Sequence, residues 1–281
     1  MRLPSLHLQD GRLLVRHANE LRFAVGIILL VGAVLAVLGT WAFAELAEEV
    51  REGTTQPFDD AVLRRLGALR TETLTAVMAE VTTLANTIVL AMVTGVGALF
   101  LWLGRHRYSA LLLVAAVLGT SLLTFALKTG FARPRPDLIA WGTDVLTHSF
   151  PSGHASGALA AYGTIAYLAA RLQTRPVSRM LTVLGGVLVV VAISLSRLVL
   201  GVHFPSDILA GLLVALAWTG FCMALLSTVQ RVIARRVPEE RQVEVEMPEL
   251  GDQSPDLQTH APKPTAESRA TPPSASPQAP R

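Results

Sequence analysis

Long stretches of this chain carry no charge, and their spacing sets the first expectation. A helix crossing the roughly 30 Å hydrocarbon core of a bilayer needs about 20 apolar residues. Runs of that kind occur at residues 23–44, 81–104, 108–127, 180–196 and 208–230. A shorter run over 155–170 reaches spanning length if its helix starts near Ser152, which gives a span at about 152–170. The pattern therefore predicts an all-α polytopic membrane protein, with six transmembrane helices in one bundle over residues 23–230. Ala42-Phe43-Ala44 resembles a signal-peptidase site, but the run before it is longer than a signal h-region of about 7–15 residues. A retained first helix is expected.

Between the first two spans, residues 58–78 place Val62, Leu66 and Leu69 at helical spacing, with Arg64, Arg65 and Arg70 between them. That pattern predicts an amphipathic helix lying at the outer interface. Residues 1–22 read as an arm. Residues 231–281 read as a disordered tail, because Pro, Ser, Ala, Gln and Glu dominate from Pro238 onward with almost no aliphatic periodicity.

Composition agrees with a membrane protein. Of 281 residues, 51% are hydrophobic and only 16% charged, against about 25% charged in a soluble domain. The mean hydropathy is +0.47. The 24 basic residues are all arginine except Lys128 and Lys263. They are spread as membrane flanks, not gathered into a nucleic-acid patch. Arg2, Arg12, Arg16 and Arg22, then Arg105 and Arg107, then Arg171, Arg175 and Arg179, then Arg231, Arg235 and Arg236 share one side by parity. The positive-inside rule makes that side cytoplasmic, with both termini, in an inner or plasma membrane. The single cysteine, Cys222, excludes an intrachain disulfide and a cysteine zinc cluster, and is expected as inert packing.

Ionisable groups beside membrane spans are functional suspects. They fall in three clusters: Lys128 to Pro136, Pro151 to His154, and Ser196 to Asp207. By parity all three reach the outer face. Spans four and six start there, and a helix N-terminus is an anion site. Ser152 suits an N-cap, Gly153 a close backbone approach and Pro205 a first helical turn. Lys128, Arg135 and Arg197 are three cations without matching carboxylates, and a phosphoryl group fits them. The His203–Asp207 pair is an orienter–base unit with no obligatory Ser or Cys beside it. Its histidine is therefore expected as the nucleophile, and a second histidine can protonate the leaving oxygen. No acidic cluster suggests Mg²⁺ or Ca²⁺, and the residues make a poor zinc site, so no metal and no cofactor is expected. Arg133 and His148 are expected as a headgroup or surface contact and a loop residue. Asn86 is expected to be buried in span two and bonded to another helix.

Lys-(six residues)-Arg-Pro at 128–136, Pro-Ser-Gly-His at 151–154 and Ser-Arg-(five residues)-His-(three residues)-Asp at 196–207 resemble, without departure, the three signatures of the type 2 phosphatidic acid phosphatase superfamily. The resemblance extends over roughly 23–230. It implies a metal-independent lipid phosphate phosphatase with a phosphohistidine intermediate. In that pattern His203 attacks phosphorus, Asp207 orients it and His154 is the general acid. Lys128, Arg135, Ser152, the Gly153 amide and Arg197 hold the phosphate. The implied partners are membrane lipids and a lipid phosphate or diphosphate substrate, such as undecaprenyl diphosphate, phosphatidylglycerol phosphate or phosphatidic acid. Vanadium haloperoxidases share the signatures but are soluble. An anion or lipid transporter with a basic outer vestibule is the alternative from another class, without the inverted repeats that would support it.

Overall fold

A computed structural model describes residues 7–143, 145 and 147–236, with side chains over 26–229 apart from those of 144 and 146. The expected tail from 237 onward lies outside the described residues. Every regular element among the described residues is helical: α1 (His7–Glu52), α2 (Gln56–Leu69), α3 (Glu72–Thr83), α4 (Thr87–Leu103), α5 (Arg107–Phe131), α6 (Gly153–Ala158), a π-helical turn (Leu159–Gly163), α7 (Thr164–Arg171), α8 (Pro176–Val199) and α9 (Pro205–Arg236). Helix α1 starts at His7, within the stretch expected as an arm.

Four segments are long and apolar enough to cross a membrane: Gly26–Glu52, Arg107–Phe131, Pro176–Val199 and Pro205–Val229. A fifth forms if α3 and α4, bent by 45° at their junction, count as one span. The segment expected to span at 152–170 is helical, but the π turn divides it. Leu30, Trp41, Phe100 and Leu122 are among the many large apolar side chains left exposed. In water such a surface would be costly, whereas lipid tails are as apolar as these side chains.

Helix α9 is central, with α1 and α5 packed along it and α6 beside it. Glycines let α1 and α9 touch backbone to backbone. A Cβ on Gly32 would lie 2.7 Å from the Gly220 carbonyl oxygen, the small-residue contact that membrane helices use in place of a hydrophobic driving force. Below the site, Leu113, Ala160, Ala161 and Ile193 pack into the main core cluster, which includes the buried Cys222.

Two expectations need correction. The single amphipathic helix at 58–78 is two helices. Arg70 has extended backbone, and the Thr71 side chain caps α3 by accepting from the Leu74 N–H. On α2 the buried residues are Asp59 and Leu63, while Leu69 is exposed. This helix packs on α8 and α9 as well as facing outward. Asn86 is not buried between helices. It is exposed and caps α4, its side-chain oxygen accepting from the Ile88 N–H at 3.2 Å. A side chain that competes for backbone donors stops a helix more readily than it rides inside one.

Candidate active site

The loop from Ala132 to Ser152 carries the site's first cation. Arg135 is held by carbonyls: its Nε donates to Thr147 O at 2.7 Å and one terminal nitrogen to Val202 O at 2.6 Å. Lys128, in the last turn of α5, donates to the His148 carbonyl at 2.6 Å. His148 is thus a loop residue, as expected, whose backbone anchors a cation. The Ser152 hydroxyl accepts from the Ala155 N–H at 3.5 Å, and Ser156 bonds Thr124 of α5 at 3.0 Å. Ser152 N–H donates to the Asp207 carbonyl at 2.9 Å, tying the start of α6 to α9.

Helix α9 begins at Pro205, as expected, and His203 and Asp207 straddle that start. Both are buried. His203 Nδ1 lies 3.4 Å from Asp207 Oδ2, longer than a normal hydrogen bond, and makes no hydrogen bond among the described residues. On the other side of the ring, Nε2 lies 3.3 Å from a terminal nitrogen of Arg135. Arginine only donates, so Nε2 must carry the lone pair and Nδ1 the proton, facing the carboxylate. Burial first, and then the charges of Arg135, Arg197 and Lys128, hold His203 well below the usual histidine pKa. The imidazole is neutral at neutral pH. Burial also lowers the pKa of Arg135, with Asp207 opposing.

Arg197, in the last turn of α8, is buried. One terminal nitrogen donates to Thr82 Oγ1 at 2.9 Å, while its Nε finds no partner among the described residues. A buried guanidinium N–H without an acceptor is costly, and a phosphate oxygen would satisfy it. His154 lies within electrostatic reach of Arg197, His203, Lys128 and Arg135. The three sequence clusters thus meet at one end of the bundle.

The sequence reading missed several residues. Thr82 positions Arg197, and the loop residues Thr147 and Ser149 brace Arg135 and the backbone of Arg133. Asp59 is wholly buried beside the site. Arg133 is not a headgroup or surface contact: it donates to Asp207 Oδ1 at 2.8 Å and Asp59 Oδ2 at 3.0 Å. Only the proximity of Arg133 to the first motif hinted at this. Nothing in the pattern marked Asp59.

Comparison with known proteins identifies the family. The family model described as the PAP2 superfamily matches residues 109–231. Phosphatidylglycerophosphatase B of Bacillus subtilis strain 168 is 33% identical over 180 residues, 60% of this chain and 83% of that protein. The crystal structure of a transmembrane PAP2-type phosphatidylglycerolphosphate phosphatase from Bacillus subtilis superposes with a TM-score of 0.59 at 25% identity, over 72% of this chain and 97% of that one. LpxE of Aquifex aeolicus gives a TM-score of 0.45 at 22% identity, over 61% and 95%. The chain therefore belongs to the PAP2 superfamily, as its three signatures imply, and is an enzyme of the lipid phosphate phosphatase class.

Proposed function

We propose that this enzyme removes a phosphate from a phosphorylated membrane lipid at the outer face of the inner membrane, through a phosphohistidine on His203 and without a metal ion. Six spans, with α3–α4 and α6–α7 each crossing once, leave both termini cytoplasmic and the site outside. The observation that carries the reading is the convergence of Lys128, Arg135 and Arg197 on the oriented His203–Asp207 pair, with one buried Arg197 N–H unpartnered.

The phosphate's non-bridging oxygens take hydrogen bonds from Lys128, Arg135, Arg197, Ser152 and the Gly153 N–H. These fixed donors stabilise the charge that builds up as phosphorus is attacked. The Nε2 lone pair of His203 forms the P–N bond while the P–O bond to the lipid alcohol breaks. His154, which can take up a proton once the phosphate's negative charge offsets the three cations, gives that oxygen its proton. Asp207 stabilises the positive charge that the His203 ring acquires. Water then attacks the phosphohistidine, passing its proton to His154, and the P–N bond breaks to release inorganic phosphate. The three cations occupy the role that Mg²⁺ fills in other phosphoryl-transfer sites.

Among the candidate lipids, similarity to phosphatidylglycerophosphatase B favours phosphatidylglycerol phosphate over undecaprenyl diphosphate and phosphatidic acid. Phosphate release from each lipid in detergent micelles ranks them, and activity should survive excess EDTA. Acid-labile, base-stable label from a radiolabelled phosphate substrate should map to His203. With p-nitrophenyl phosphate, whose leaving group needs little protonation, His154→Ala should lose far less activity than with a lipid phosphate. His203→Ala should be inactive on both. Label on His154, or activity lost in EDTA and restored by Mg²⁺, would overturn the reading.

A further inference from the structure

Arg133 lies between two carboxylates that are both fully buried, Asp59 and Asp207. One terminal nitrogen donates to Asp207 Oδ1 and Ser206 Oγ, each at 2.8 Å. The other donates to Asp59 Oδ2 and Gln56 Oε1, each at 3.0 Å. The guanidinium carbon sits 4.2 Å from the centre of the Phe204 ring, so the fork is clamped on its face as well as its edges. Asp59 closes the network on its far side by accepting the Ser206 N–H at 3.0 Å and the Ser206 hydroxyl. That N–H belongs to the first turn of α9, where backbone donors lack helical acceptors and a carboxylate is favoured by the dipole.

The consequence falls on Asp207. Arg133 holds its Oδ1, and the Phe204 N–H holds its Oδ2 at 2.8 Å. With both oxygens engaged, the plane of the carboxylate is set, and Oδ2 is left facing His203 Nδ1. Arg133 alone would create a difficulty: a lone guanidinium on Asp207 makes a neutral pair, with little negative charge to offer a histidine that becomes cationic. Asp59 supplies a second negative charge on the other edge of the same guanidinium. The three groups together then carry a formal charge of minus one.

We propose that Asp59 and Arg133 are positioning residues for phosphoryl transfer. Arg133 fixes the Asp207 carboxylate, and Asp59 counter-charges Arg133 so that Asp207 keeps its negative charge for His203. The inference rests on the reading of His203 as nucleophile. It gives helix α2, outside the three signatures, a part in the chemistry through Asp59.

The test uses the full-length enzyme purified in detergent. Single-turnover phosphoenzyme formation reports the chemical step, and inhibition by orthovanadate reports anion binding by Lys128, Arg135 and Arg197. Asp59→Asn keeps the shape and removes the charge. Its phosphorylation should slow by about 10- to 100-fold, the scale of losing a residue that orients a metal-ligating histidine or carboxylate, while the vanadate inhibition constant and the thermal midpoint stay near wild type. The double variant Asp59→Asn/Arg133→Gln, whose glutamine can still donate to Asp207 Oδ1, should be faster than Asp59→Asn, because removing the uncompensated guanidinium returns the charge to Asp207. A purely structural staple predicts otherwise. Loss in proportion to folded protein, with vanadate binding weakened alongside, or a double variant no faster than Asp59→Asn, would overturn the proposal. If Asp59→Asn does not purify as folded protein, Arg133→Lys takes its place. It keeps the charge but cannot span both carboxylates, so wild-type phosphorylation in that variant also overturns the proposal. His203→Ala separates the two levels. If it still forms a phosphoenzyme, the nucleophile assignment fails and the inference with it. If it is inactive while Asp59→Asn is normal, the inference fails alone.

Discussion

At the scale of single residues, the motif side chains were legible and their supports were not. Lys128, Arg135, His154, Arg197, His203 and Asp207 announce themselves because ionisable groups next to apolar runs are rare, and Ser152 because it suits an N-cap. Thr82 and Asp59 do not, since their partners Arg197 and Ser206 lie 115 and 147 residues away. A threonine or aspartate on a helix has no periodic signature that reveals such a contact. Asp59 even sat where the pattern suggested an interfacial face. The braced geometry of Arg135 makes a sharp residue-level prediction. Its Nε and both terminal nitrogens are engaged by Thr147, Val202 and His148 while the same fork faces His203. Lysine carries its three donors on one nitrogen and cannot reach the divergent Thr147, Val202 and His148 acceptors together. Arg135→Lys should therefore lower kcat/KM by about 100-fold or more, the scale of removing a fixed donor to a transition-state oxyanion. Near-normal hydrolysis by that variant would show that charge alone suffices there.

At the scale of elements, apolar run length located the helices well but not their interruptions. The charge-free run over 81–104 passes straight through the bend between α3 and α4, because Leu84 and Ala85 are as apolar as their neighbours and the stop signal is one residue, Asn86. The π turn at Leu159–Gly163 has no sequence signature in its alanines. Start signals fared better. Ser152 at the N-cap and Pro205 at the first turn are where the sequence put them, since both act through local backbone chemistry. What lets these two helix starts come so close is Gly211. A Cβ there would lie 2.4 Å from the Ser152 carbonyl oxygen, a backbone atom that cannot rotate away. Gly211→Ala should push α9 from the start of α6 and pull His203 and Asp207 away from Ser152 and His154. Overpacking of this kind costs about 1–3 kcal/mol. The variant should insert and purify, with a lower thermal midpoint and a phosphorylation rate reduced more than its folded fraction. Gly95, whose added Cβ would meet nothing within 4 Å, supplies the control: Gly95→Ala should leave both measurements unchanged.

At the scale of the whole molecule, the question is which end of the bundle faces out. If successive connections alternate sides, the loop at 132–152 lies opposite the connection between α7 and α8. The loop holds Arg135 and abuts Lys128 and His203. The α7–α8 connection is flanked by Arg171, Arg175 and Arg179, and the positive-inside rule assigns that arginine-rich end to the cytoplasm. The arginines between the first two spans weaken a simple count, but the structure takes Arg70 out of it. Arg70 donates to Thr75 and to the Ala140 carbonyl, bracing the site's loop against the α2–α3 corner. An arginine fixed within the fold is not a free flanking charge. The expected outcome follows from exposure at each end. Asp137 in the site's loop and Thr174 between α7 and α8 are both exposed. In a Cys222→Ala background, Asp137→Cys should react with a membrane-impermeant maleimide in intact cells or spheroplasts, whereas Thr174→Cys should react only after lysis. The reverse pattern would turn the site to the cytoplasm and replace an outer-leaflet substrate with an inner-leaflet one, leaving the chemistry at His203 untouched. Labelling of both positions in sealed cells would instead break the alternation of sides, and with it the count of six spans.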